Sequence, residues 1–264
     1  MLNSLTQWWA GATNRTCYNW RPGLPYFIQA FKPEAHKNKS KCFLDKTMVN
    51  RVFDQGETGL SVPCAVLTCF GMLHARHTDQ GQPKTLNPLI LYMMVCQEHQ
   101  IDWTSNPPLD IRKCIEGFQK LGAPELSWLA ISGRPVIDTA HSRIRKRWVN
   151  NCLYANEIKK IFSVPRFHFR ETLQLGQPII CGLTLFESFE SETTKTTGAI
   201  VIPHKDEKII GGLCIVLINY DDQLKKYTFV NCMGTEWGAN GLGFVEESYL
   251  QKYGTECVTF MLEE

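Results

Sequence analysis

The chain has 264 residues, 44% of them hydrophobic and 20% charged, the ordinary balance of a globular protein with a sizeable core, which excludes the disordered and collagen-like classes. Lys and Arg number 28 against 26 Asp and Glu, and a net charge of +2 sets up no field that calls for nucleic acid or an acidic membrane, so neither is an expected partner. None of the 11 cysteines lies in a C-x-x-C pair, and Cys69, Cys96, Cys181 and Cys214 sit inside apolar runs; zinc and thioredoxin-like chemistry are set aside, and a reducing compartment, the cytoplasm, is expected.

Residues 1–45 are rich in Pro, Asn, Lys and aromatics without a sustained period, as in Trp20-Arg-Pro-Gly-Leu-Pro25, and read as an irregular arm. Met1 to Ala12 has no basic start followed by a long apolar run, so no signal peptide is expected. No stretch reaches the ~18 uninterrupted apolar residues of a membrane span. Trp8, Trp9, Tyr18, Trp20, Tyr26, Phe27 and Phe31 are dense for a free tail, so the arm is expected to dock on a partner or on the protein's own body.

Residues 46–162 read as helical. From Ser61 to about Arg76 the apolar residues Val62, Ala65, Val66, Cys69, Phe70 and Leu73 recur at helical spacing, with Pro63 in the first turn, where its missing N–H costs nothing. Asn87-Pro88 opens a second helix ending near Gln100, and Asp110 to Leu121 forms a third with Gly122 as its stop. His74 and His77 at a helix end suit the dipole better than a metal, since no carboxylate ligand motif lies near, and no metal or cofactor is expected. The run Arg143-Ile-Arg-Lys-Arg147 reads as a solvated basic helix face.

Residues 163–264 read as β-rich. The runs Pro178–Phe186, Gly212–Tyr220, Tyr227–Val230 and Cys257–Met261 are strands, with Tyr220-Asp-Asp as a turn. Glu187, Glu190 and Glu192 with Asp206 and Glu207 read as solvated acidic turns.

Three stretches carry a family resemblance. Asp54-Gln-Gly-Glu-Thr-Gly-Leu-Ser-Val-Pro-Cys64 stands just before the first helix; Lys208-Ile-Ile-Gly-Gly-Leu-Cys-Ile-Val-Leu-Ile-Asn-Tyr-Asp-Asp222 forms a strand; and Asn231-Cys-Met-Gly-Thr-Glu-Trp-Gly-Ala-Asn-Gly241 follows. Together they resemble the Q-G-x-x-G-x-C, G-G-H-A-V and N-S-W-G-x-x-W-G motifs of papain-like cysteine peptidases, over roughly residues 46 to 262. The resemblance implies an α+β fold: a helical left sub-domain, an antiparallel β right sub-domain and a cleft between them. It assigns the oxyanion-hole amide to Gln55 and the base-orienting amide to Asn231, and it keeps Gly56, Gly59, Gly211, Gly212, Gly234, Trp237, Gly238 and Gly241 as structural positions. At the nucleophile's place, however, stands Ser61, and at the general base's place Leu213. An unassisted hydroxyl is a very weak nucleophile at neutral pH, and an isobutyl group accepts no proton.

The expectation is therefore a catalytically inactive homologue, nearest in flavour to members from large double-stranded DNA viruses. It would act as a structural or protein-binding scaffold, with a component of a viral particle as the working guess and capsid or other virion proteins as partners through the arm or the cleft. The alternatives are a residual hydrolase using Ser61 or Cys64, with His204 as the rescuing base, and a peptide-binding or inhibitory module. Cys64, one helical turn past Ser61, is expected to face away from the cleft.

Overall fold

The structure, a computed structural model, describes residues 18, 20, 29–36, 44, 46–49, 51–77, 83–126 and 151–263. Helix α1 (Ser61–His77) is its axis. Every residue from Ser61 to Leu73 is buried, so the one apolar face expected from the sequence is a helix enclosed on all sides. It packs on one side against α2 (Pro88–Glu98) and α3 (Ile111–Leu121), and on the other against the main sheet.

Local chemistry fixes the two flanking helices. Asn87 caps α2, its side-chain oxygen accepting from the N–H groups of Leu89 and Ile90 at 3.1 and 3.2 Å, with Pro88 at the first helical position. Asp110 does the same for α3, accepting from the Lys113 N–H at 3.0 Å. Ile111, Cys114, Ile115 and Phe118 form the buried stripe of α3, and Arg112 and Glu116 pair at 2.6 Å across one turn. The helix stops at Gly122, as expected, and a short ladder of β1 (Ala123–Pro124) and β2 (Cys152–Leu153) follows.

The main sheet has seven strands in the order β3 (Ile158–Ser163), β9 (Gly254–Leu262), β4 (Ile179–Phe186), β6 (Ile209–Asp221), β7 (Lys226–Val230), β8 (Leu242–Glu246) and β5 (Ala199–Ile200). All neighbours are antiparallel except β5 and β8. The central strands β4 and β6 are buried along nearly their whole length, which is why they read as unbroken apolar runs. Their register pairs Leu183 with Leu213 and Gly182 with Cys214. The sheet begins at Ile158, ahead of residue 163. Three short helices, α4 (Phe169–Gln174), α5 (Glu192–Thr197) and α6 (Glu247–Tyr253), are too brief for a periodicity to reveal. Glu192 thus belongs to a helix, not to a turn, and Ser191 caps it.

Where the arm is described, it docks on the protein's own body: Tyr18, Trp20, Phe31 and Leu44 are all buried. Phe31 donates its N–H to the Ser163 carbonyl at 2.8 Å and stacks edge-on against Phe162. Trp8, Trp9, Tyr26, Phe27, the run from Arg143 to Arg147 and the His77 side chain lie outside the described residues. Among the described residues no helix is long and apolar enough to cross a membrane.

Candidate active site

Two loops meet at the end of α1 where Ser61 stands. Residues 53–58 precede the helix, residues 231–234 follow β7, and backbone bonds stitch them together. The Gln55 N–H donates to the Cys232 carbonyl at 2.8 Å, and the Gly234 N–H to the Phe53 carbonyl at 2.9 Å. Helical and β portions are thereby joined at the segments that the resemblance marks as catalytic. The glycines and tryptophan of the last motif build the turn that holds this seam. Asn231 donates its N–H to the Gly241 carbonyl at 2.9 Å, Gly241 donates to the Trp237 carbonyl at 2.8 Å, and Trp237 stacks on Phe189.

Gln55 and Asn231 are both buried here. The Cys232 thiol lies 3.4 Å from the Gln55 side-chain oxygen as a weak donor, so that amide is engaged by a thiol. The Asn231 side-chain oxygen accepts from the Cys232 N–H at 2.8 Å, while its Nδ2 is buried with no hydrogen-bond partner among the described residues. Leaving a buried donor unmade costs on the order of 1–3 kcal/mol.

Ser61 opens α1 and is 1% exposed. Cys64, one turn on, is 1% exposed, with the Cys232 thiol among its neighbours. Burial first, and then the Cys232 thiol, push the Cys64 thiol well up, so it is held as a thiol and not as the nucleophilic thiolate. Leu213 lies in β6 with 0% exposure, paired across the ladder with Leu183. His204 is on an exposed loop, its backbone N–H donating to the Glu207 carboxylate at 3.1 Å. At the opposite end of α1 from Ser61, His74 lies 3.8 Å from Glu157 and packs on the rings of Phe70 and Tyr154. The fold therefore gathers Gln55, Ser61, Cys64, Asn231 and Cys232 around one seam and places Leu213 in a strand packed against α1. It holds His204 in a solvent-exposed turn.

The N-terminal residues add what the motifs did not give. Trp20 lies on Gly182, and a Cβ there would fall 2.7 Å from its Cζ3 and closer still to Cζ2 and Cη2. Tyr18 lies on Gly211, where φ is +150° and a Cβ would come within 2.8 Å of the Tyr18 Cβ. These glycines stand beside the Leu183–Leu213 pair, one preceding Leu183 directly and the other two residues before Leu213. Glycine inside a buried strand marks a close approach by another part of the chain, and this signal, joined to the aromatic density of the arm, could have located the contact. The approach of Cys232 to Gln55 left no such trace, since it depends on how two loops meet.

This architecture, a helix-centred half against a mostly antiparallel sheet with the motif segments at their seam, is the papain-like cysteine peptidase fold. Xylellain, a cysteine protease of Xylella fastidiosa, matches over 96% of this chain and 98% of its own with a TM-score of 0.76 and 15% identity. A procathepsin B from Trypanosoma congolense matches with a TM-score of 0.65 and 10% identity over 99% of this chain and 96% of its own. A digestive procathepsin L of Tenebrio molitor matches with a TM-score of 0.65 and 12% identity over 97% of this chain and 78% of its own. At these identities the likeness is one of fold. In sequence, 74 residues are 34% identical to an uncharacterized peptidase C1-like protein of Acanthamoeba polyphaga mimivirus, a stretch spanning 28% of this chain and 24% of that relative's length. No protein-family model matches the chain.

Proposed function

We propose that the chain is a non-catalytic papain-fold protein that serves as a protein-binding scaffold. The observation that carries the reading is the pair of side chains at the two reacting positions the resemblance assigns, a hydroxyl at Ser61 and a fully buried isobutyl group at Leu213. Nucleophilic attack by a serine requires a base within hydrogen-bond reach, and general-base catalysis requires a titratable group where the proton leaves. Neither requirement is met by Leu213. The unpartnered Nδ2 of Asn231 supports the same reading, since this amide spends its oxygen on the backbone and has no imidazole to orient. The raised Cys64 thiol supports it too, because that sulfur, one turn past Ser61, is kept protonated.

The likeness to a mimivirus protein supports a large DNA virus as the setting, and we extend the proposal to a structural component of the particle assembled in a reducing cytoplasm. A peptidyl epoxide that alkylates papain-type cysteines tests the inactive site. The reading expects no site-directed labelling of the native protein; stoichiometric labelling of Cys64 that disappears in His204→Ala would establish the hydrolase instead. Co-purification of a defined virion protein with the full chain, retained in Ser61→Ala, tests the scaffold.

A further inference from the structure

We infer that Cys181 and Cys257 form an oxidation-sensitive dithiol site that hydrogen peroxide converts into a disulfide joining β4 to β9. The two residues are direct partners in the antiparallel ladder, and their sulfurs lie 3.3 Å apart. Opposed residues on antiparallel strands have Cα atoms about 4.5–5.5 Å apart, inside the ~4.4–6.8 Å span that a disulfide bridges without backbone movement. Closing to the ~2.0 Å bond length moves the sulfurs by about 1.3 Å. The ladder irregularity between Cys181 and Leu183 gives this part of the sheet local play for that closure.

The two thiols are not equivalent. Cys181 has 0% exposure and Cys257 7%, so peroxide, little larger than water, reaches Cys257 first. The contact with Cys181 and burial push the Cys257 thiol well up, so its thiolate is scarce and the reaction slow at neutral pH. In the first step the Cys257 sulfur displaces one hydroxyl of the peroxide, giving a sulfenic acid and water. In the second the Cys181 sulfur attacks that sulfenic sulfur, the S–O bond breaks, and the hydroxyl leaves with the Cys181 proton as a second water. Two thiols and one peroxide thus give one disulfide and two waters. A thiol reductant reverses the change by exchange. The bridge closes a segment of 76 residues, so it strongly restricts the unfolded chain.

The test uses the full chain, reduced and then treated with hydrogen peroxide, alkylated in denaturant and digested without reductant. Peptide mapping is expected to find Cys181 and Cys257 in one linked pair, lighter by two hydrogens. The melting temperature is expected to rise by roughly 5–10 °C and to return after dithiothreitol. Cys257→Ala is expected to remove the rise. Recovery of Cys181 and Cys257 as alkylated thiols or sulfinic acids, or linkage of Cys181 to a different cysteine, would overturn the inference. The mapping is read on the unmodified protein, so it does not depend on whether the variant folds.

Discussion

The contact between Trp20 and Gly182 is the sharpest place to test how the arm is held. Trp20 is 1% exposed, and truncating a buried tryptophan to alanine costs about 3–5 kcal/mol. In Gly182→Ala the new methyl carbon would stand 2.7 Å from the ring's Cζ3 and nearer to two further ring atoms, against an optimal carbon–carbon separation of about 3.5–4.0 Å. The ring has to leave or the strand has to shift, a penalty of about 1–3 kcal/mol. When Trp20→Ala is made first, the obstruction is gone. The added methyl then fills part of the vacated space, and Gly182→Ala becomes neutral or stabilising by about 0.4–1 kcal/mol. A double-mutant cycle by urea denaturation should therefore give a coupling of about 1–4 kcal/mol. Equal effects of Gly182→Ala in both backgrounds, within about 0.5 kcal/mol, would refute this placement of Trp20.

Asn87→Ala removes a buried cap that holds two N–H groups of α2 and should cost about 1–2 kcal/mol, read as a lowered melting temperature. Burial pushes the Cys152 thiol up to about 11, yet it is the one free cysteine among the described residues that is partly exposed. Its alkylation by iodoacetamide should therefore be the fastest of the described cysteines and should rise about tenfold per pH unit between pH 7 and 9, as the thiolate fraction does. A profile that levels off near pH 8 would contradict that environment. Ser61→Cys with Leu213→His should yield peptide cleavage that neither single variant shows, since a thiol needs a base and a base needs a nucleophile; equal turnover by Ser61→Cys alone would contradict the role assigned to position 213.

Much of the fold was legible because its longest elements carry strong local signals. The enclosed helix α1, the asparagine and aspartate caps of α2 and α3 and the apolar runs of β4 and β6 all follow from spacing and capping chemistry. The short pieces escaped. β8 carries Gly243 as its second residue, where a Cβ would meet the Phe229 ring, and β5 is two residues long, too little for alternation to register. At the candidate site, the motif positions of Gln55, Ser61, Leu213 and Asn231 could be named from sequence because each stands in a dense run of family-like residues. What each one touches could not. That Cys232 engages Gln55 depends on two loops far apart in the chain.

Hydrolysis is the most direct measure of the central claim. A mixed library of fluorogenic peptides incubated with the native protein and with Ser61→Ala should show no turnover above buffer for either, at any pH from 5 to 9. Turnover by the native protein that is lost in Ser61→Ala would mean that the hydroxyl at the head of α1 is a working nucleophile and that a base serves it.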